Sequence, residues 1–239
     1  MNVETERLVR EIRAHAGTIN SYIADERASS RFGPVQLAYT GRSYFLQPDK
    51  HRLEATTNGQ ATVTVAIGPR VRKYLPAKNE IWEYDIDFQS RMLPLASDIS
   101  DLRNPFYLTD DTGLDFRGKV TLEDHIMYHF VSTLWHPPDD GLLDTRKGFT
   151  IRYRPKPLPI AVALFVDVGD CLLRKRVGTT ADGTKVLEAD YRIEGINVSL
   201  DESLFQLNDL HGSFRKVALR EVFQAALNPD SADAPPSRN

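Results

Sequence analysis

HRLEATTNGQATVTVAI, residues 51–67, decides how this chain is read. Two runs that alternate polar and apolar residues flank Asn58-Gly59, a dipeptide that readily takes both positive-φ positions of a type I′ turn between antiparallel strands. Working toward the amino terminus, VQLAYTGRSYFL (35–46) repeats with period two. It places Val35, Leu37, Tyr39, Ser43 and Phe45 on one face, with Gln36, Ala38, Thr40, Arg42, Tyr44 and Leu46 on the other. Pro48 and Asp49 separate that strand from the hairpin. Toward the carboxyl terminus, RVRKYL (70–75), EIWEYDI (80–86), HIMYHFVSTLW (125–135), FTIRYR (149–154), IAVALFVDV (160–168), CLLRKRVGT (171–179) and KVLEADYRIE (185–194) read as further strands. Asp182-Gly183 and Gly169-Asp170 supply two more turns. Strands linked by successive hairpins form an antiparallel meander, which keeps one face on a core and the other in water.

Helical periodicity occurs at both ends. Leu8, Val9, Ile12, Ala16 and Ile19 recur at helical spacing among charged residues, which predicts an amphipathic helix over 3–16 that Gly17 ends. VALREVFQAAL (217–227) predicts a second helix, and NPDSADAPPSRN has too little apolar content to fold, so 228–239 reads as a disordered tail. Residues 94–113 break the strand rhythm with Pro, Asp and Ser. Within them SDISDL predicts a short capped helix in a connection long enough to serve as a lid. With no internal repeat and no clean linker, 1–227 reads as a single domain, α+β and mostly antiparallel β.

Composition narrows the classes of function. The 239 residues carry 30 Lys+Arg against 33 Asp+Glu, a formal charge of −3, where nucleic-acid binders show a basic excess. RYRPKP and LLRKR are local clusters beside acidic neighbours, too weak to hold a phosphate backbone. Mean hydropathy is −0.38, and no apolar run approaches the ~20 residues that a spanning helix needs. The single cysteine, Cys171, has no intrachain partner for a disulfide and nothing to complete a cysteine-based zinc site. MNVETERLVREIRAHAG lacks the pattern of a secretory leader, which leaves a cytoplasmic protein or a leader already removed.

Candidate chemistry is sparse. His125, His129 and His136 suggest a metal, but the residues around them alternate as a strand does. Four residues along a strand span about 13 Å, too far for two imidazoles to share one ion. No metal site is expected. There is no G-x-S-x-G elbow and no glycine-rich phosphate loop. Glu80, Glu83, Asp85 and Asp87 read as the wet side of a half-exposed strand rather than paired catalytic carboxylates. Cys171 reads as a small core residue, since a reactive thiol needs an electropositive setting. No nucleophile, base and oxyanion donor assemble together, so no enzyme is expected.

What remains is apolar. Leu37, Tyr39, Phe45, Leu53, Val63, Val65, Trp82, Tyr84, Phe130, Ile151, Val162, Leu164 and Val166 all fall on strands. Each alone reads as core. Together, on one strongly curved sheet with few helices to cover its inside, they pose a question: two helices and a lid fill that concavity, or something else does.

The order of segments resembles the LolA/LolB-like lipoprotein carrier superfamily, whose broader bacterial branch comprises outer-membrane lipoprotein-sorting proteins. The resemblance is carried by LVREIRAHAGTINSYIADERASSRFG, GRSYFLQPDKHRLEA, RVRKYLPAKNEIWEYDI, NPFYL and LFVDVGDCLLRKRVGTTADGTKVLEADYRIEGINVSLDESLFQL, across roughly residues 3–207. It implies a curved antiparallel half-barrel with helices and a lid over its concave apolar face, enclosing a cavity for acyl chains. The cavity implied adds Tyr44 and Ala55 to the residues above. Gln47, Phe106, Leu108 and Ile12 fall at its lid and mouth. The resemblance further implies a periplasmic protein whose leader has been removed. Its partners would be lipoprotein or lipid acyl chains and proteins of the inner and outer membranes, and it would need no cofactor, metal or nucleic acid. Two departures stand out. Gln47 occupies the place before the turn proline where the carrier branch has an arginine, and no cysteine lies near the amino terminus to carry a lipid anchor. A second reading keeps the same sheet as an envelope sensor or scaffold that binds a protein partner.

Overall fold

The computed structural model describes residues 1–32, 35–57, 59–85, 101–106, 113–135, 143–144, 151–152, 159–207 and 213–216. Leu108, most of the 94–113 connection, the expected helix at 217–227 and the expected tail at 228–239 lie outside them. In chain order the elements are α1 (Val3–Ala16), β1 (Ser21–Phe32), β2 (Val35–Leu46), β3 (Lys50–Thr57), β4 (Gln60–Ile67), β5 (Arg70–Leu75) and β6 (Glu80–Asp85). Then come β7 (Asp115–Leu122), β8 (His125–Trp135), β9 (Leu143–Asp144), β10 (Ile151–Arg152), β11 (Pro159–Asp167), β12 (Leu173–Thr180), β13 (Lys185–Ile196) and β14 (Ser213–Lys216). The architecture is mostly antiparallel β with one α-helix among the described residues.

The local signals act as elementary chemistry requires. Asn2 caps α1 by accepting the Thr5 N–H at 2.8 Å, Glu4 and Glu6 complement the positive end of the helix, and Gly17 ends it by donating to the Arg13 carbonyl. Its buried stripe is Thr5, Leu8, Val9, Ile12 and Ala16. Thr57 pairs with Gln60 where β3 turns back into β4, and Gly59 has φ +84°. The β12–β13 turn is stapled by Asp182, whose carboxylate accepts the Thr184 N–H and the Thr180 hydroxyl. Four strands were not anticipated: β1, β7, the two-residue β9 and the short β14.

The chain forms two compact units. One comprises Met1–Ile19, Ala28–Ser30 and Asp101–Arg192, and the other Asn20–Arg27, Arg31–Ser100 and Ile193–Asn239. In the first, which holds the helix, the strand order is β13-β12-β11-β8-β7 with antiparallel neighbours. α1 meets this unit at β7, where the Phe116 N–H donates to Thr5 Oγ1 at 3.1 Å. In the second, the order is β14-β6-β5-β4-β3-β2-β1, antiparallel from β2 to β6 and parallel between β6 and β14.

Candidate functional site

In the second unit the sheet is apolar on both faces, and register separates the two. On one face Phe45 stands in a row with His51, Ala66, Val71 and Tyr84, and the next row runs Ser43, Leu53, Thr64, Lys73, Trp82. Ala66, Val71, Trp82 and Tyr84 pack as one cluster with Leu75 against it. Phe45 is fully buried, stacked on Tyr22 at 5.4 Å and tilted against His51 at 5.0 Å. Ala55 continues this face beside Gly41, where a Cβ would meet the Glu54 carbonyl at 2.8 Å, so only glycine lets β2 and β3 run this close. Tyr39 belongs to the same face by alternation, and its hydroxyl donates to the buried Glu26 carboxylate at 3.0 Å.

The opposite face is already covered by the chain itself. Val65 and Ile81 pack against Phe205 and Leu207, with Tyr44, Leu46, Val63, Tyr74, Leu200 and Leu204 around them. A 3₁₀ turn at Glu202–Phe205 holds this cover in place. Asp201 caps the turn by accepting the Ser203 N–H, Arg52 donates to the Leu204 carbonyl at 2.7 Å, and Lys50 pairs with Glu202 at 2.8 Å. The structure therefore brings Phe45, Leu53, Ala55, Trp82 and Tyr84 together and sets Tyr44, Val63 and Val65 on the other side, under residues 200–207. A cavity on one face is not lined by both sets.

The first unit presents a comparable face. Phe130 stands in a row with Leu164, Arg176 and Ala189, the next row runs Ser132, Val162, Gly178, Leu187, and Val166 pairs with Tyr128. Phe130 meets Phe106 edge-on at 5.1 Å and Phe116 at 5.3 Å, and the Arg13 guanidinium lies over Phe106 at 6.0 Å. Phe106 is thus fully buried beside α1, whose stripe includes Ile12. Of the remaining candidates, Leu37 and Ile151 lie on β2 and β10 with side chains outside the described set, and Gln47 donates its N–H to the Asn20 carbonyl at 2.8 Å. Ala66 and Val71 were missed although alternation exposes them; Glu26, Ser132 and Arg176 carried no hydrophobic signal at all.

Titratable groups here serve structure. His125 Nδ1 lies 3.1 Å from the Asp167 carboxylate, which also accepts the Gly169 N–H at 2.7 Å and so braces the β11–β12 connection. His129 stacks on Phe165 at 4.8 Å on the face away from Phe130, and burial, then Arg117, push its pKa down. Burial, helped by Asp170 and Asp167, pushes the Cys171 thiol up, which disfavours the thiolate. Glu80 accepts the Trp82 indole N–H at 2.8 Å, and Glu83 lies 3.9 Å from Arg72. No group of three or more His, Cys, Asp or Glu among the described residues is placed to hold a metal ion.

Comparison with solved structures finds likeness at low identity. The fold is similar to that of an uncharacterised conserved protein from Thermus thermophilus, at 15% identity and TM-score 0.54, covering 88% of this chain and 99% of that one. It is also similar to a LolA superfamily protein from Nitrosomonas europaea, at 10% identity and TM-score 0.36 over 84% of this chain and 99% of that one. The Mycobacterium tuberculosis lipoprotein LppX is a further match, at 11% identity and TM-score 0.43 over 82% of this chain and 98% of that one. No family model and no curated protein matches the sequence.

Proposed function

We propose that this chain binds acyl chains of lipidated proteins or other lipids in the bacterial periplasm, holding them on apolar sheet faces of its LolA-like fold. The observation that carries the reading is the Phe45, Leu53, Ala55, Trp82, Tyr84 face. Residues 200–207 cover the opposite face, and the aromatic and aliphatic side chains of this one are themselves buried, at 0–8% exposure. Removing apolar surface from water is worth about 0.8 kcal/mol per CH₂, so ten methylenes on such a face amount to about 8 kcal/mol. A carrier must also release its guest, and the 94–113 connection, with Gln47 and Leu108, is the proposed lid. The resemblance of the segments between residues 3 and 207 supports the same reading.

The test is native mass spectrometry of purified protein with lipid extraction, followed by titration of delipidated protein with a fluorescent fatty acid. Bound acyl species and saturable binding with a dissociation constant in the micromolar range or below are expected. Absence of both from a folded sample refutes the reading. A protein that co-purifies while the sample holds no lipid points instead to the sensor or scaffold role.

A further inference from the structure

Ala66, Val71, Trp82 and Tyr84 are 1–8% exposed, and among the described residues the partly buried apolar side chain packed on them is Leu75, from the same sheet. Neighbours within a sheet shield the flanks of a side chain and leave its outer end open, so burial this deep takes a layer above the sheet. On the opposite face Val65 and Ile81, each 4% exposed, have that layer in Phe205 and Leu207. The Trp82 face is buried to a similar depth, and its cover is made of the chain's own residues.

Two long stretches of the same unit lie outside the described residues, around 86–100 and 217–239. The first is committed at both ends, since it leaves β6 and leads to Asp101 in the other unit, and it carries Pro94. The second starts where the face does. β14 runs parallel to β6 with Arg215 opposite Trp82 and Lys216 opposite Glu83, so the next position falls level with Tyr84, one strand spacing of ~4.8 Å away. From there Leu219, Val222, Phe223 and Ala226 repeat at i, i+3, i+4 and i+7, a stripe backed by Arg220, Glu221 and Gln224, with Asn228-Pro229 as its stop. As a helix, 217–227 spans about 16 Å, and three strand spacings are about 14 Å, so it reaches from β6 over β5 and β4 to β3. Phe45 on β2 lies past that reach, and it has Tyr22 stacked on it.

We propose that residues 217–227 lie as an amphipathic helix on the Ala66, Val71, Trp82 and Tyr84 face, and that this helix is the occupant an apolar guest displaces. The first half stands on burial and on the reach of the chain. The second rests on the acyl-binding reading above and gives it a regulation: guest and helix compete for one face, so the affinity measured is the difference between them.

The experiment reads Trp82, one of two tryptophans, in a Trp135→Phe background. Ending the chain after Lys216 is expected to shift the emission to the red and to raise acrylamide quenching severalfold, while ending it after Leu227 changes neither. Phe223→Asp in the full chain is expected to act as the shorter chain does. Where circular dichroism shows the shorter chain folded, it decides; where it does not, F223D decides. Trp82 as protected as in the parent overturns the proposal, and its exposure by Leu93→Asp alone assigns the cover to 86–100 instead. Titration with oleate tests the second half. The chain ended after Lys216, or F223D in its place, is expected to bind several times more tightly than the full chain, and equal affinity with Trp82 exposed refutes competition. Binding of oleate by none of the folded proteins refutes the acyl-binding reading, a result separate from the quenching that decides where the helix lies.

Discussion

Replacing Phe205 by alanine separates the two faces of the second unit by experiment. The ring is 2% exposed and packs on Val65 and Ile81 with Leu207 beside it. Returning a phenylalanine side chain to water is worth about 1.5–3 kcal/mol, and the cavity left behind brings a core Phe→Ala change to about 3–5 kcal/mol. Neighbouring ties do not compensate, because the Arg52 bond to the Leu204 carbonyl and the Lys50–Glu202 pair position the 3₁₀ turn rather than fill the space. Urea unfolding followed by tryptophan fluorescence and circular dichroism should show the midpoint falling while the slope stays constant. Fatty-acid affinity, measured where both proteins are folded, should stay within twofold, since Leu53 and Trp82 face the other way. Trp82→Ala should do the reverse to binding, weakening it tenfold or more. A stability loss below about 1 kcal/mol for F205A, or a parallel loss of binding, refutes the assignment of faces.

Gly41→Ala should destabilise by about 1–3 kcal/mol, because its Cβ would sit 2.8 Å from the Glu54 carbonyl and 3.0 Å from Leu53 Cδ1; an unchanged unfolding midpoint counts against this packing. Hydrogen bonds from Lys185 and Lys175 hold the Glu188 carboxyl below its usual range, so its contribution is present above the unfolded pKa and lost as pH falls through the lower folded value. Glu188→Gln should flatten the acid limb of a stability-versus-pH curve, and an identical limb contradicts the pairing. On Lys175 burial opposes the charge, yet hydrogen bonds to Asp190 and Glu188 outweigh it and raise the pKa. That contribution is complete below the unfolded value and disappears as pH rises through the folded one. Cys171, buried and with its thiol pushed up, should react with iodoacetamide at pH 8 far more slowly than in urea; equal rates would show it is accessible.

Legibility in the sequence followed physical contrast. α1 ran over the expected 3–16 because an apolar stripe, an Asn cap and a glycine stop all coincide there. The Asn58-Gly59 hairpin was equally plain, since the turn chemistry and the alternation on both sides agree. β1 escaped notice because its buried set, Tyr22, Ala24, Glu26, Ala28 and Ser30, is small or polar, so the alternation exists in burial but not in hydrophobicity. β7 carries a register shift between Phe116 and Gly118 that breaks its period, and β14 is four residues long with every residue exposed. At the site, alternation placed Phe45 opposite Tyr44 correctly. What it lacked was a reason to divide Val63 and Val65 from Leu53 and Trp82, because the cover over one face comes from residues 200–207, far along the chain.

The parallel pairing of β14 with β6 bears on how the protein is made. The Ser213 hydroxyl that donates to the Asn79 carbonyl lies 134 residues downstream of it. At typical translation rates β6 therefore emerges from the ribosome roughly 7–27 s before its neighbour exists. During that interval the backbone groups awaiting β14 invite any extended segment that passes, from a sister nascent chain or a chaperone. Shortening the gene from its 3′ end, or stalling translation near it, should divert newly made chains into aggregates while mature protein in the same cell stays sound.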